Sequence, residues 1–201
     1  MSFQFVAEKS MFKYKLAIML LLSQLVTACI PIAIGTATVT AIDVALDRRT
    51  VGRNLDDGAL ELKLKKDFLL DPMLGNDVNI TVTSVNGVVL LTGEVLNEQQ
   101  RQRASILARN HPETRNVVNE LALSGKTSLT SRANDSWITG RVKANLIGNR
   151  NIPATSINVT TERGKVYLLG LVTRSEADAA VQEARRVPGV THIVKVFEYV
   201  K

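Results

Sequence analysis

What this chain has little of narrows the possibilities first. A single cysteine in 201 residues, Cys29, cannot close an internal disulfide. Two histidines, His111 and His192, fall in non-equivalent places, and no group of His, Cys, Asp and Glu has metal-ligand spacing. No glycine-rich loop leads from a strand into a helix, so no phosphate cradle is expected. No apolar run reaches the roughly 20 residues that cross a bilayer as a helix. With one Trp, three Tyr and five Phe, any core has to be built from Val, Leu, Ile and Ala. These shortages leave no catalytic machinery in view: the chain reads as a non-enzyme with no cofactor and no metal.

What is present is ordinary folded-protein composition, 45% apolar and 22% charged, with a net charge of +6. The positive balance points to an acidic partner, either nucleic acid or an anionic membrane. Compartment decides between them, and the N-terminus speaks to compartment. Lys13 and Lys15 precede the unbroken apolar run Leu16 to Leu22, which resumes at Leu25-Val26 and ends in the small residues Thr27 and Ala28. Basic, then apolar, then small is the order of an export signal. Starting from Met11, the signal has a standard length with its lysines in front.

Val26-Thr27-Ala28-Cys29 resembles the lipobox of bacterial lipoproteins. That resemblance implies that the Cys29 sulfur is lipidated and that Cys29 becomes the mature N-terminus. Ile30, not Asp, follows it, which implies transfer to the outer membrane. The competing reading is a buried or anchoring N-terminal helix whose cysteine is incidental. Export conflicts with nucleic acid as a partner, and none is expected. Residues 1–28 are thus read as a signal peptide, and 29–56 as the lipidated cysteine and a tether.

The rest of the chain is a pattern stated twice. Leu60, Leu64 and Phe68 correspond to Ile138, Val142 and Leu146, each set spaced i, i+4, i+8 on one helix face. Two alternating runs follow in each copy, around Asn86-Gly87 in the first and a turn reaching Gly164 in the second. Asn-Gly between alternating apolar residues is a hairpin signal, since both tolerate positive φ. A second helix comes next, about Glu98 to Asn110 in copy one. In copy two it is expected to open at Ser175, with Asp178 three residues on. A last strand closes each copy, Val117 to Leu123 and Val190 to Val200. The latter carries apolar groups on both faces, so it is central or covered.

The order helix-strand-strand-helix-strand gives an antiparallel hairpin, a crossover helix and a parallel last strand. The expected fold class is α+β: two tandem domains, 57–123 and 134–201, joined by a linker at 124–133. Each has a three-stranded mixed sheet covered by two helices. Each is small enough for its core to be marginal alone, so the copies are expected to lean on each other.

The glycines after each hairpin turn (87 and 164), those ending each second strand (93 and 170) and Pro188-Gly189-Val190 resemble the BON domain, a module of bacterial envelope proteins. Together with the lipobox, Asp47-Arg48-Arg49-Thr50-Val51-Gly52 and Asp56-Asp57-Gly58, they resemble the dual-BON outer-membrane lipoproteins. Copy one departs from the pattern with Pro112-Glu113 in place of Pro188-Gly189. The resemblance implies phospholipid binding, a lipid anchor in the outer membrane with the domains facing the periplasm, and roles in envelope integrity and at division sites.

Charge separates the copies. Residues 57–123 hold seven Lys/Arg against nine Asp/Glu, whereas 132–201 hold eleven against six. Trp137 replaces Ala59 of copy one, and Arg141 and Ala144 lie on its helix face. Asn134, Asp135 and Ser136 are candidate N-caps for a helix opening at Trp137. A Trp ring flanked by cations suits a membrane–water interface. The candidate phospholipid contacts are therefore Trp137 and Arg141 with Arg132, Asn134, Asp135, Ser136, Gly140, Lys143 and Ala144. The expected partner is anionic phospholipid such as phosphatidylglycerol or cardiolipin. Two alternatives stand beside this: Trp137 fills a groove between the copies, or the protein is an interaction scaffold for envelope-assembly proteins.

Overall fold

The apolar stripes form the helices that their spacing predicts. In a computed structural model that describes residues 51–75 and 78–200, Leu60, Leu64 and Phe68 are buried, as are Ile138, Val142 and Leu146. The first set lies on α1 (Val51–Leu70) and the second on α3 (Leu129–Gly148). The signal segment, Cys29 and the tether before Val51 lie outside the described residues. The described ones belong to one compact unit, Asp43–Lys201.

Helix α3 begins earlier than its apolar stripe does. Its N-cap is Ser128, whose hydroxyl accepts the Ser131 N–H at 3.2 Å. Asn134, Asp135 and Ser136 are therefore inside the helix and cap nothing, and Trp137 sits in its third turn. Nothing between Ser128 and Trp137 breaks a helix, so the first competent cap upstream is used. The expected linker is partly helical for the same reason.

In copy one, β1 (Asn79–Val85) and β2 (Val88–Val95) form the hairpin, with Val85 opposite Val88. Asn86 and Gly87 take φ of 54° and 74°, the left-handed pair of a type I′ turn. Then come α2 (Glu98–Arg109) and a last strand parallel to β2. That strand is interrupted, as β3 (Asn116–Asn119) and β4 (Ala122–Leu123), because Leu121 turns into the core and its N–H bonds the Asn119 side chain.

Copy two repeats the plan with β5 (Ile157–Glu162), β6 (Lys165–Val172), α4 (Arg174–Arg185) and an unbroken β7 (His192–Tyr199). The strand order β5-β6-β7 makes β7 an edge. Its two apolar faces reflect covering, not a central position. The N-cap of α4 is Thr173, two residues before Ser175, and its partner in a reciprocal capping box is Glu176, not Asp178. Gly93 and Gly170 are demanded by close approach, since a Cβ there would collide with the carbonyls of Asn79 and Ser156.

Three apolar clusters explain how the copies sit. Val89, Leu91 and Val95 of β2 pack under α1 and α2. Val166, Leu168 and Val172 of β6 pack under α3 and α4. The alternate residues Leu90 on β2 and Tyr167 and Leu169 on β6 meet each other, with Val85, in a third cluster between the sheets. Because side chains alternate along a strand, each sheet serves two cores at once. The result is four layers, helices–sheet–sheet–helices. The copies do lean on each other, as domains of this size require.

Candidate functional site

One buried acid sets the rotation of helix α3. Asp135 accepts the Arg163 N–H at 2.9 Å and the Gly164 N–H at 2.8 Å, strapping the helix to the β5–β6 turn. Asp57 does the same in copy one, taking Ser84 Oγ at 2.8 Å, Asn86 N–H at 2.7 Å and Gly87 N–H at 2.8 Å. Asp135 is therefore not a surface contact residue. The sequence carried a signal of this, since the two repeats begin on these aspartates.

With 135, 138, 142 and 146 turned inward, the residues about half a turn away point to solvent. Trp137 is 51% exposed, and Asn134, Gly140, Arg141 and Ala144 share its face. Ile147, 74% exposed, continues the surface one turn on. Trp137 does not fill a groove between the copies: Val85, Leu90, Tyr167 and Leu169 occupy that seam. Among the described residues, Arg141, Lys143 and Arg150 make no ion pair.

Other candidates face elsewhere. Arg132 turns back to the Thr127 carbonyl, at 3.2 and 3.1 Å. Ser136 donates to the Arg132 carbonyl at 3.0 Å, a local helix bond. Lys143 is exposed on the flank of α3, about 120° round from Trp137. The structure thus brings together Asn134, Trp137, Gly140, Arg141 and Ala144. It leaves Arg132, Asp135, Ser136 and Lys143 off that face.

The junction between the copies holds charged groups that sequence reasoning passed over. Glu94, 1% exposed at the end of β2, accepts from the Thr127 hydroxyl, from Asn79 Nδ2 at 2.9 Å and from Arg163 Nε at 3.2 Å. Burial pushes its carboxyl up, but the Thr127 and Asn79 hydrogen bonds and the Arg163 charge outweigh this and hold it below its usual range. Glu162 goes the other way. Burial, then the charges of Glu94 and Asp135, raise it to about 7, against the opposing pull of Arg163 and Arg132. These partners are remote in sequence, so no spacing announces them.

No helix among the described residues is long and apolar enough to cross a membrane. Nor do the described residues include a group of three or more His, Cys, Asp and Glu able to hold a metal ion.

The chain is 37% identical over 185 residues to Outer membrane lipoprotein DolP of Haemophilus influenzae, covering 92% of this chain and 95% of that one. It is 34% identical over 156 residues to the 21 kDa hemolysin of Actinobacillus pleuropneumoniae, covering 78% and 80%. It is 29% identical over 146 residues to Osmotically-inducible protein Y of Escherichia coli, covering 71% and 72%. The family model for the BON domain matches twice, at residues 56–125 and 134–201. These two stretches are the two repeats that the geometry separates, and the chain belongs to the BON-domain family.

Proposed function

We propose that this is a non-enzymatic, lipid-anchored protein of the outer membrane whose second BON domain docks on anionic phospholipid. The observation that carries the docking is the outer face of α3. A half-exposed Trp137 stands clear of the buried Ile138–Val142–Leu146 stripe, one turn from Arg141, which makes no ion pair among the described residues. A Trp ring loses little conformational freedom on insertion and keeps its N–H wet at an interface. Each nearby cation adds roughly 1 kcal/mol against an anionic surface. Contact this weak becomes effective when an anchor already holds the protein at the bilayer. The lipobox at Cys29 and the name of the Haemophilus relative support the anchor and its membrane. The domains then face the periplasm and support envelope integrity, including at division sites.

Flotation of the unit Asp43–Lys201, which contains all three cores, tests the docking. It should rise with phosphatidylglycerol or cardiolipin vesicles and not with phosphatidylcholine. Flotation unchanged by Trp137→Ala would sink the assignment.

A second reading has its own observation. On α1, Leu55, Leu62 and Leu69 are 69%, 70% and 70% exposed and spaced by seven residues. Leucines seven apart share one helix face, and an exposed apolar stripe of this kind is a surface that a partner can cover. It favours a protein partner for domain one, in keeping with a scaffold for envelope assembly.

A further inference from the structure

The two repeats differ at one place that has no role so far. The N-caps of α2 and α4 are Asn97 and Thr173, so Gln100 corresponds to Glu176 and Arg103 to Ala179. In copy one these side chains bolt the loop after α1 to α2. Gln100 Nε2 donates to the carbonyls of Met73 and Leu74, at 3.2 and 3.4 Å, and Arg103 pairs with the buried Asp71 at 2.7 Å. In copy two the corresponding side chains are placed differently. Glu176 bends back to the Thr173 N–H at 2.7 Å, and Ala179 has nothing to reach with.

A groove of about 720 Å³ stands open there, between the end of α3, the loop that follows it and the start of α4. Its volume lies within the roughly 300–1,000 Å³ of small-molecule sites. The walls are aliphatic, from Leu146, Ile147, Ile152 and Ile157. Two cations line it, Lys143 and Arg150, neither of them ion-paired among the described residues. The one acid on the lining is Glu176, whose carboxylate is occupied by its capping bond. An apolar trough with uncommitted positive charge is the complement of an anionic amphiphile.

We propose that this groove holds one acyl chain of an anionic phospholipid, with its phosphate between Lys143 and Arg150. The site rests on the reading of domain two as the lipid-facing domain and adds to it a place for a single molecule. Surface docking through Trp137 and chain capture in the groove are separate contacts on one helix. Ile147, exposed on the rim of the groove, is the wall residue nearest the Trp137 face.

The test is a titration of the unit Asp43–Lys201 with monomeric lysophosphatidylglycerol, below its micelle concentration, followed by amide chemical shifts. Saturable one-to-one binding is expected, with the largest shifts at Ile147, Ile152 and Ala154. Arg150→Glu and Thr155→Trp, both at exposed positions lining the groove, should each weaken it at least tenfold. Thr155→Trp should still float with phosphatidylglycerol vesicles like the parent. Vesicle binding without saturable monomer binding overturns the groove and leaves the docking surface standing. Monomer binding that neither substitution weakens, or equal binding of zwitterionic lysophosphatidylcholine, also overturns it. Binding of neither monomer nor vesicles removes both readings.

Discussion

Arg163 Nε lies 3.2 Å from Glu94 Oε1, joining the hairpin turn of the second repeat to a buried carboxylate of the first. Arg163 holds a φ of 53°, a conformation that a non-glycine residue adopts at a cost of about 1 kcal/mol. Its side chain offsets that cost by pairing with Glu94 and bonding Thr127 and the Ser124–Gly125 segment.

Removing this side chain separates the two effects. Arg163→Ala should destabilise the unit by about 1–3 kcal/mol, since it takes a charged hydrogen bond from a buried carboxylate. Arg163→Gly loses the same contacts but relaxes the backbone, and should be about 1 kcal/mol milder. Urea unfolding of the two variants decides this. A glycine variant as unstable as the alanine one refutes the strain.

Glu162 should make stability fall as pH rises. Its carboxyl titrates near 7 in the folded protein against an ordinary value of 4.5. Between those values the folded state holds a proton that the unfolded chain has released, so unfolding becomes easier as pH climbs from 4.5 to 7 and levels off above. Glu162→Gln should flatten melting temperature between pH 5 and 8 and raise it at pH 8. An unchanged slope would mean that another group is responsible.

Asp135→Ala strips two backbone N–H groups of their acceptor, and the loss should be about 2–3 kcal/mol. Asp57→Ala should cost a similar amount in copy one. Hydrogen exchange at Gly164 or Gly87 should rise in the matching variant alone, which a general loss of stability would not produce.

Adjacent residues on α3 should behave in opposite ways. Ile138→Ala empties a fully buried site and should cost about 2–5 kcal/mol of stability. Trp137→Ala should change stability by no more than about 0.5 kcal/mol, while its affinity for phosphatidylglycerol vesicles falls on the order of tenfold, about 1.4 kcal/mol. Thermal melts and flotation of both variants measure the contrast.

Cys29→Ser should abolish incorporation of labelled fatty acid into the full chain expressed in a two-membrane bacterium. Retained label would point to another attachment site.

The fold was legible where side chains carry their own periodicity. Leu60–Leu64–Phe68, Ile138–Val142–Leu146 and the Asn86-Gly87 turn could be placed because apolar spacing and turn chemistry are local. Helix α3 was misplaced at its start because Ser128, Asn134, Asp135 and Ser136 are all good caps, and residue type does not rank them. Asp135 was misread for a related reason: its partners are backbone N–H groups, and the one mark of them in the sequence is the matching Asp57 at the start of the first repeat. The Pro112-Glu113 departure was legible. Glu113 is not among the described non-glycine residues with positive φ, whereas Gly189 takes +88°, so the two turns do differ. The Glu94–Arg163 pair spans 69 positions and could not be seen at all.

The back-to-back sheets carry a mechanical consequence. Helix α1 and helix α3 cover opposite outer faces of the sandwich. A bilayer resting on Trp137 and a protein gripping Leu55, Leu62 and Leu69 would touch the molecule from opposite sides. With sheets about 10 Å apart and a helix layer about 10 Å thick on each side, the molecule is a stiff spacer. A lipid surface and a partner docked in the proposed way would then stand roughly 30 Å apart.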